Sequence, residues 1–179
     1  MKNNLLGKIA GMKYFNVFGP GEDHKESMRS VIHKAHKQIG ETGRLSLFRS
    51  HRPDYADGEQ TRDFVYVRDA ARVTLFFHDH PEIGGIFNCG TGKAQSWLTL
   101  AKAIFKAMDL EPQIDFIDMP ETLRDKYQYH TQAKTEKLTA AGCTPPDTPL
   151  EVSVDEYVRQ WLAKPVETRT FDFAPRKGA

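Results

Sequence analysis

Several marks that would class a sequence at once are missing from these 179 residues. There are only two cysteines, Cys89 and Cys143, far apart and in no Cys-x-x-Cys pair, which argues against a disulfide framework or a structural zinc site. That usage fits a reducing compartment, the cytoplasm. An excess of one charge is missing as well. Lys and Arg total 25 against 24 Asp and Glu, a formal net charge of +1, so no surface built for nucleic acid or an anionic membrane is expected. Apolar runs stop well short of the roughly 20 residues that a membrane span needs. The opening MKNNLLGKIAG has neither a proper h-region nor a small-residue cleavage site. No internal repeat, low-complexity tract or long linker is visible. What is present, 39% hydrophobic and 27% charged residues, is the makeup of a soluble chain with a packed core.

Residues 9–18 read as a buried strand stopped by Gly19-Pro20-Gly21. A helix is expected over 27–39, with Ser27 as its cap and Met28, Val31, Ile32, Ala35 and Ile39 on its inner face. Further strands are expected at 44–48, 63–67, 85–89 and 113–117. Helices are expected over 69–78 with Asp69 as N-cap, after a Ser96 cap, over 131–141 and over 152–162. The polar stretch 165–179 reads as a flexible tail. Strands alternating with helices indicate an α/β chain with mostly parallel pairing. A strand as apolar as 9–18 expects cover on both faces and neighbours on both edges. It starts almost at residue 1, so the chain reads as the back part of a larger sheet protein, without its front.

Four constellations bear on chemistry. Gly90-Thr91-Gly92 follows a strand and precedes a helix, the setting of a dinucleotide turn, but Gln95 stands where a third glycine belongs and a tight turn is the simpler reading. The pairs His33/His36 and His78/His80 have no third ligand placed by sequence, so no metal site is expected. The stretch from Asn16 to Ser27 leaves the C-terminal end of a strand, where open α/β sheets bind ligands. There Asn16 either holds a hydroxyl or makes a turn, and Lys25 is either a proton acceptor or a solvated charge. Arg62 is suited to a bidentate phosphate contact or, alternatively, to a strand-edge charge pair with Asp63. None of the 6 tyrosines has a lysine four positions on, so the Tyr-x-x-x-Lys redox pair is absent.

Together KYFNVFGPGEDHKESM, TRDFVYVRDAARV, GIFNCGTGKAQSW and KYQYHTQA resemble the ADP-L-glycero-D-manno-heptose 6-epimerase family, over about residues 11–162. These are extended short-chain dehydrogenase/reductases acting on nucleotide sugars, and the resemblance is to their C-terminal half. RDFVYVRD and the FN-x-G-x-G turn mark only the superfamily. The run GP-x-E-x-HK-x-SM and the segment from Tyr127-Gln128 to Thr131-Gln132 point to the heptose family.

The resemblance implies the C-terminal part of an NAD(P)-binding Rossmann-like fold with its smaller substrate-binding domain. Residues 1–26 would be the end of the Rossmann-type domain, 27–164 mainly the substrate domain with returning sheet elements, and 165–179 the tail. It further implies NADP as cofactor, with NAD as the alternative, beside Val17 and Lys25, and Lys25 as catalytic proton acceptor. Asn16, Ser27, Lys34, Phe48, Arg49, Ser50, His51, Arg62 and Tyr127 would contact an ADP-sugar, Arg62 through phosphate and Tyr127 by closing over it. Two departures stand out: Phe48-Arg49-Ser50-His51 replaces a Phe-Glu-Gly-Ser turn, and Lys34 aligns with a substrate-contacting histidine, with His33 adjacent. The implied activity is epimerisation of ADP-D-glycero-D-manno-heptose to its L-glycero epimer by transient oxidation at C6, supplying lipopolysaccharide core synthesis. Full-length members are implied to be homo-oligomers. Without a glycine-rich turn and a Tyr-x-x-x-Lys pair, this chain alone is expected to be inactive and to bind NADP weakly. The alternatives are another nucleotide-sugar epimerase or dehydratase, and a noncatalytic sugar-nucleotide-binding module.

Overall fold

A computed structural model describes residues 9–170. The first apolar stretch breaks at Phe15 into β1 (Ala10–Tyr14) and β2 (Asn16–Phe18). The two halves take different partners. β1 runs parallel to β6 (Gly85–Cys89), Ala10 opposite Gly85, and β2 runs parallel to β5 (Phe64–Tyr66), Asn16 opposite Phe64. The backbone makes the change, since Phe15 N–H donates to the Cys89 carbonyl and Asn16 N–H to the Asp63 carbonyl, both at 3.0 Å. β3 (Leu45–Phe48) pairs in parallel with β8 (Ile114–Ile117), whereas β4 (Thr61–Arg62) and β7 (Gln95–Ser96) form an antiparallel pair. Parallel pairing therefore dominates among the described residues, as strands separated by helical crossovers require.

The first helix, α1 (Val31–Thr42), starts later than expected. Its cap is Ser30, and Ser27 lies in a 3-10 segment, Asp23–Met28. The buried carboxylate of Glu22 decides this by accepting Ser30 N–H at 2.5 Å and Ser30 Oγ–H at 2.6 Å, which pins the helix entrance. α2 (Val67–Asp79) has Tyr66 at its cap position, so Asp69 sits inside the first turn. There Asp69 accepts Thr148 N–H at 3.0 Å instead of capping. Ser96 caps α3 (Trp97–Ala107) as expected, its Oγ accepting Thr99 N–H at 3.1 Å. After the one-turn α4 (Glu121–Arg124), the helix expected over 131–141 shrinks to α5 (Glu136–Ala140). The preceding residues are held by other strands: Thr131 N–H donates to the Thr61 carbonyl at 3.3 Å and Ala133 N–H to the Asp63 carboxylate at 2.9 Å. α6 (Leu150–Tyr157) runs on into a π-helical turn at Val158–Leu162.

Two apolar clusters hold these elements. One gathers Phe18, Ile32, Ile39, Leu100, Ile104 and Tyr157 from β2, α1, α3 and α6. The other gathers Val65, Val73, Phe77, Phe87, Cys89, Leu138 and Cys143, with Met12, Phe15 and Val17 packed against it. Residues on both sides of position 26 thus share each cluster, through the sheet elements that return. Both cysteines are buried and free. Among the described residues β1 has one partner strand, and Ile9, Leu75 and Ile86 stay exposed. Residues 1–8 of the first expected domain and 171–179 of the expected tail lie outside the described residues. The described start of that tail is anchored: it forms a 3-10 turn, Val166–Thr168, and Arg169 pairs with Asp23 while donating to the Leu162 carbonyl at 3.1 Å. No helix among the described residues is long and apolar enough to cross a membrane.

Candidate functional site

Arg62 and Asp63, adjacent and oppositely charged, do not pair; their side chains serve different ends. Asp63 is fully buried and its carboxylate accepts four hydrogen bonds. Oδ1 takes Thr91 N–H at 2.8 Å and Thr91 Oγ–H at 2.6 Å, and Oδ2 takes Gly92 N–H and Ala133 N–H, both at 2.9 Å. The Gly90-Thr91-Gly92 turn therefore spends its N–H groups on the chain's own carboxylate. A Cβ at Gly90 would collide with that of Ala133, so glycine is required there by close approach. A phosphate has no access to those donors. That turn is therefore no cradle for a dinucleotide pyrophosphate.

Arg62 is 9% exposed and donates to one protein acceptor, the Thr61 carbonyl at 2.8 Å, with no carboxylate partner among the described residues. A guanidinium has five donors. What surrounds it is aromatic: its carbon lies 5.6 Å from the ring centre of Trp97 and 5.2 Å from that of Tyr127. The β4–β7 pairing, with Arg62 opposite Gln95, brings the start of α3 and hence Trp97 alongside. Tyr127 arrives from the loop after α4, meets Phe48 edge-on at 6.4 Å and Tyr129 at 5.4 Å, and its hydroxyl accepts the Trp97 indole N–H at 2.9 Å. Burial lowers the pKa of Arg62 from its usual value, with Tyr127 opposing. Burial also raises the Tyr127 phenol, against the pull of Arg62 and Trp97, so it stays protonated. With Leu123, Lys126 and Gln128 the two residues line a cavity of about 230 Å³. This is a cationic, hydrogen-bond-donating recess with the Tyr127 ring in its wall, suited to an anion attached to a larger molecule.

Of the residues expected to bind substrate, the structure brings Phe48, Arg62 and Tyr127 together. His51 joins their edge, its backbone N–H donating to the Tyr129 hydroxyl at 3.0 Å. Arg49 turns toward β8, donating to the Phe116 carbonyl at 3.1 Å, and Ser50 is held by its own loop through Asp57 at 2.7 Å. Asn16, Lys25, Ser27 and Lys34 are exposed and Val17 half-buried, and none of them lines the cavity. Lys25 rides on the 3-10 segment after β2, and its ammonium makes no hydrogen bond or ion pair among the described residues. Trp97, Tyr129 and Asp63 were not singled out for the site by the sequence. A second cleft of about 420 Å³ lies beside α1, with Asp23, His33, His36 and Arg169 in its wall.

Comparison with known proteins bears on the fold and the family. The family model for the NAD dependent epimerase/dehydratase family matches residues 7–90. The chain is 56% identical over 162 residues to an ADP-L-glycero-D-manno-heptose-6-epimerase of Nitratidesulfovibrio vulgaris (strain DP4), covering 90% of this chain and 50% of that protein. The chain is thus similar to the NAD dependent epimerase/dehydratase family over residues 7–90 and to this heptose epimerase over 162 residues. A protein of the same name from Alkalilimnicola ehrlichii is 42% identical over 156 residues, 87% of this chain and 48% of its own length. The chain thus spans about half the length of the curated relatives it matches. The crystal structure of the Helicobacter pylori ADP-L-glycero-D-manno-heptose-6-epimerase superposes with a TM-score of 0.70 at 25% identity, over 87% of this chain and 45% of that one. A UDP-N-acetylglucosamine 4-epimerase from Methanobrevibacter ruminantium, at 24% identity, TM-score 0.69 and coverages of 86% and 45%, shares the fold. The described chain is α/β, with the fold of the Rossmann-like extended short-chain dehydrogenase/reductases.

Proposed function

We propose that this chain is the nucleotide-sugar-binding part of an ADP-heptose 6-epimerase. One observation carries the reading: a nearly buried guanidinium without a carboxylate partner faces a cavity beside a phenol. A buried cation is costly unless it is paired. A diphosphate entering the cavity would supply the missing counter-charge, meeting the unused Arg62 donors and the Tyr127 hydroxyl, with Lys126 at the rim. The names of the 56% and 42% identical relatives support ADP-heptose as the nucleotide sugar.

Epimerisation at C6 by transient oxidation needs a hydride acceptor, and NADP is proposed for it. The Gly90-Thr91-Gly92 turn, engaged by Asp63, gives that cofactor no pyrophosphate cradle, so its main hold would lie elsewhere in the complete enzyme. Within this chain, Lys25 is the proposed proton acceptor for the sugar hydroxyl and the cofactor neighbour, together with Val17. Asn16, Ser27 and Lys34 are the proposed sugar-side contacts around the C-terminal end of β2. On this reading the chain alone binds the nucleotide diphosphate but does not turn over. The complete enzyme is proposed to work in the cytoplasm, toward lipopolysaccharide core synthesis.

The test is calorimetric titration of the chain with ADP, UDP and GDP, followed by an ADP-heptose epimerisation assay with and without the relatives' remaining half co-expressed. Diphosphate binding, tightest for ADP, and turnover only with the second half are expected. A preference for UDP or GDP would move the assignment to another nucleotide-sugar epimerase or dehydratase. Failure to bind any diphosphate would remove it.

A further inference from the structure

Nothing in the family resemblance gives Trp97 a role, yet it touches both groups that would hold the diphosphate. We propose that Trp97 is a positioning residue of this site: its indole N–H occupies the acceptor side of the Tyr127 hydroxyl and so turns the phenol proton toward the bound phosphate, while its ring braces Arg62. The proposal rests on the diphosphate reading above.

The chemistry is one of donors and acceptors. An indole N–H can only donate, whereas a phenol both donates and accepts. With the Trp97 N–H donating to the Tyr127 oxygen at 2.9 Å, the phenol proton is left to find an acceptor. No protein acceptor receives it among the described residues. A phosphate offers acceptors only, so a hydroxyl committed in this direction favours an anion over a ligand that must itself donate. Arg62, beside both rings, adds the charge.

Trp97 is itself well held. Its backbone N–H donates to the Gln60 carbonyl at 3.1 Å, its ring meets Phe64 edge-on at 5.2 Å, and Ser96 fixes the start of the helix it opens. A side chain locked by packing can hold its partners in the bound geometry before the ligand arrives, which reduces the ordering cost of binding.

The test is a double-mutant cycle on ADP affinity, measured by calorimetry with the full 179-residue chain. Trp97→Phe keeps an aromatic ring on this side of Arg62 but removes the N–H and makes the ring smaller. It should weaken ADP about fivefold, the worth of one neutral hydrogen bond. Tyr127→Phe should weaken it at least as much, and the double variant should be no worse than Tyr127→Phe alone, because the N–H then has no hydroxyl to orient. Melting temperature reports on folding separately; the smaller ring should lower it modestly in Trp97→Phe, with the chain still folded at the titration temperature. If Trp97→Phe binds ADP like wild type while Tyr127→Phe does not, or if the two losses multiply in the double variant, Trp97 does not act through Tyr127 and the proposal falls alone. If the wild-type chain binds no ADP, the diphosphate reading falls with it.

Discussion

Asp63→Asn should be among the most damaging conservative substitutions in this chain, and the structure sets the size of the effect. Each carboxylate oxygen accepts two hydrogen bonds, at 2.6–2.9 Å, from Thr91, Gly92 and Ala133. An asparagine amide has one oxygen; with its NH₂ group turned to the Thr91 side the Thr91 hydroxyl can rotate to accept, so Thr91 N–H is the one donor left without an acceptor. One bond is lost, and a hydrogen bond to a charged group is worth about 1.5–3 kcal/mol. The expected loss is therefore about 1.5–3 kcal/mol, increased by the weakening of the surviving bonds as the charge is lost. Asp63 is fully buried, so water cannot stand in for the missing acceptor. Equilibrium urea unfolding of the wild type and Asp63→Asn, monitored by circular dichroism at low temperature, measures the difference directly. A drop below about 1 kcal/mol would refute the reasoning, since that is less than one ordinary buried hydrogen bond left unmade.

Two further outcomes follow from ionisable groups. Burial alone would raise Asp23, but the Trp161 indole, His33 and Arg169 outweigh it, so its folded pKa lies below the ordinary value. A depressed carboxylate contributes stability that is present above the unfolded pKa of about 4 and is lost as pH falls through the folded value. Acid unfolding of wild type and Asp23→Asn should therefore converge at the lowest pH, and a stability difference independent of pH would contradict this. Burial pushes the Cys89 thiol up to about 11. Iodoacetamide at about pH 8 should then label Cys89 only after unfolding, because the thiolate is the reacting form; rapid labelling of the native chain would be contrary evidence.

What could be read from the sequence divides by range. Gly85–Cys89 and the Ser96 cap of α3 were legible because a strand bounded by glycines and a serine before an apolar period act through neighbours alone. The cap of α1 was misread as Ser27 because the deciding group is Glu22, whose carboxylate reaches eight residues forward to Ser30. The role of Asp63 was hidden for the same reason on a larger scale, since its partners lie 28 to 70 residues away. Arg62 drew attention by its chemistry, but its charge pair with Asp63 remained an open alternative until the Asp63 carboxylate was found fully engaged elsewhere. Phe48 and Tyr127 came only through the family resemblance. Trp97 ends one of the stretches that carry the resemblance, GIFNCGTGKAQSW, but nothing in that pattern gives it a role; only the antiparallel β4–β7 pairing sets it beside Arg62.

Arg62→Met tests the central claim most directly, because it separates a structural arginine from one waiting for a ligand. The methionine keeps an apolar stem against Trp97 and Tyr127 and removes a charge that has no protein carboxylate. Unfolding free energy and ADP affinity are measured on the same preparations. The account predicts a variant at least as stable as the wild type that has lost ADP binding by about tenfold or more, the scale of a hydrogen bond to a charged group. A variant that is strongly destabilised, or that binds ADP as the wild type does, would contradict it.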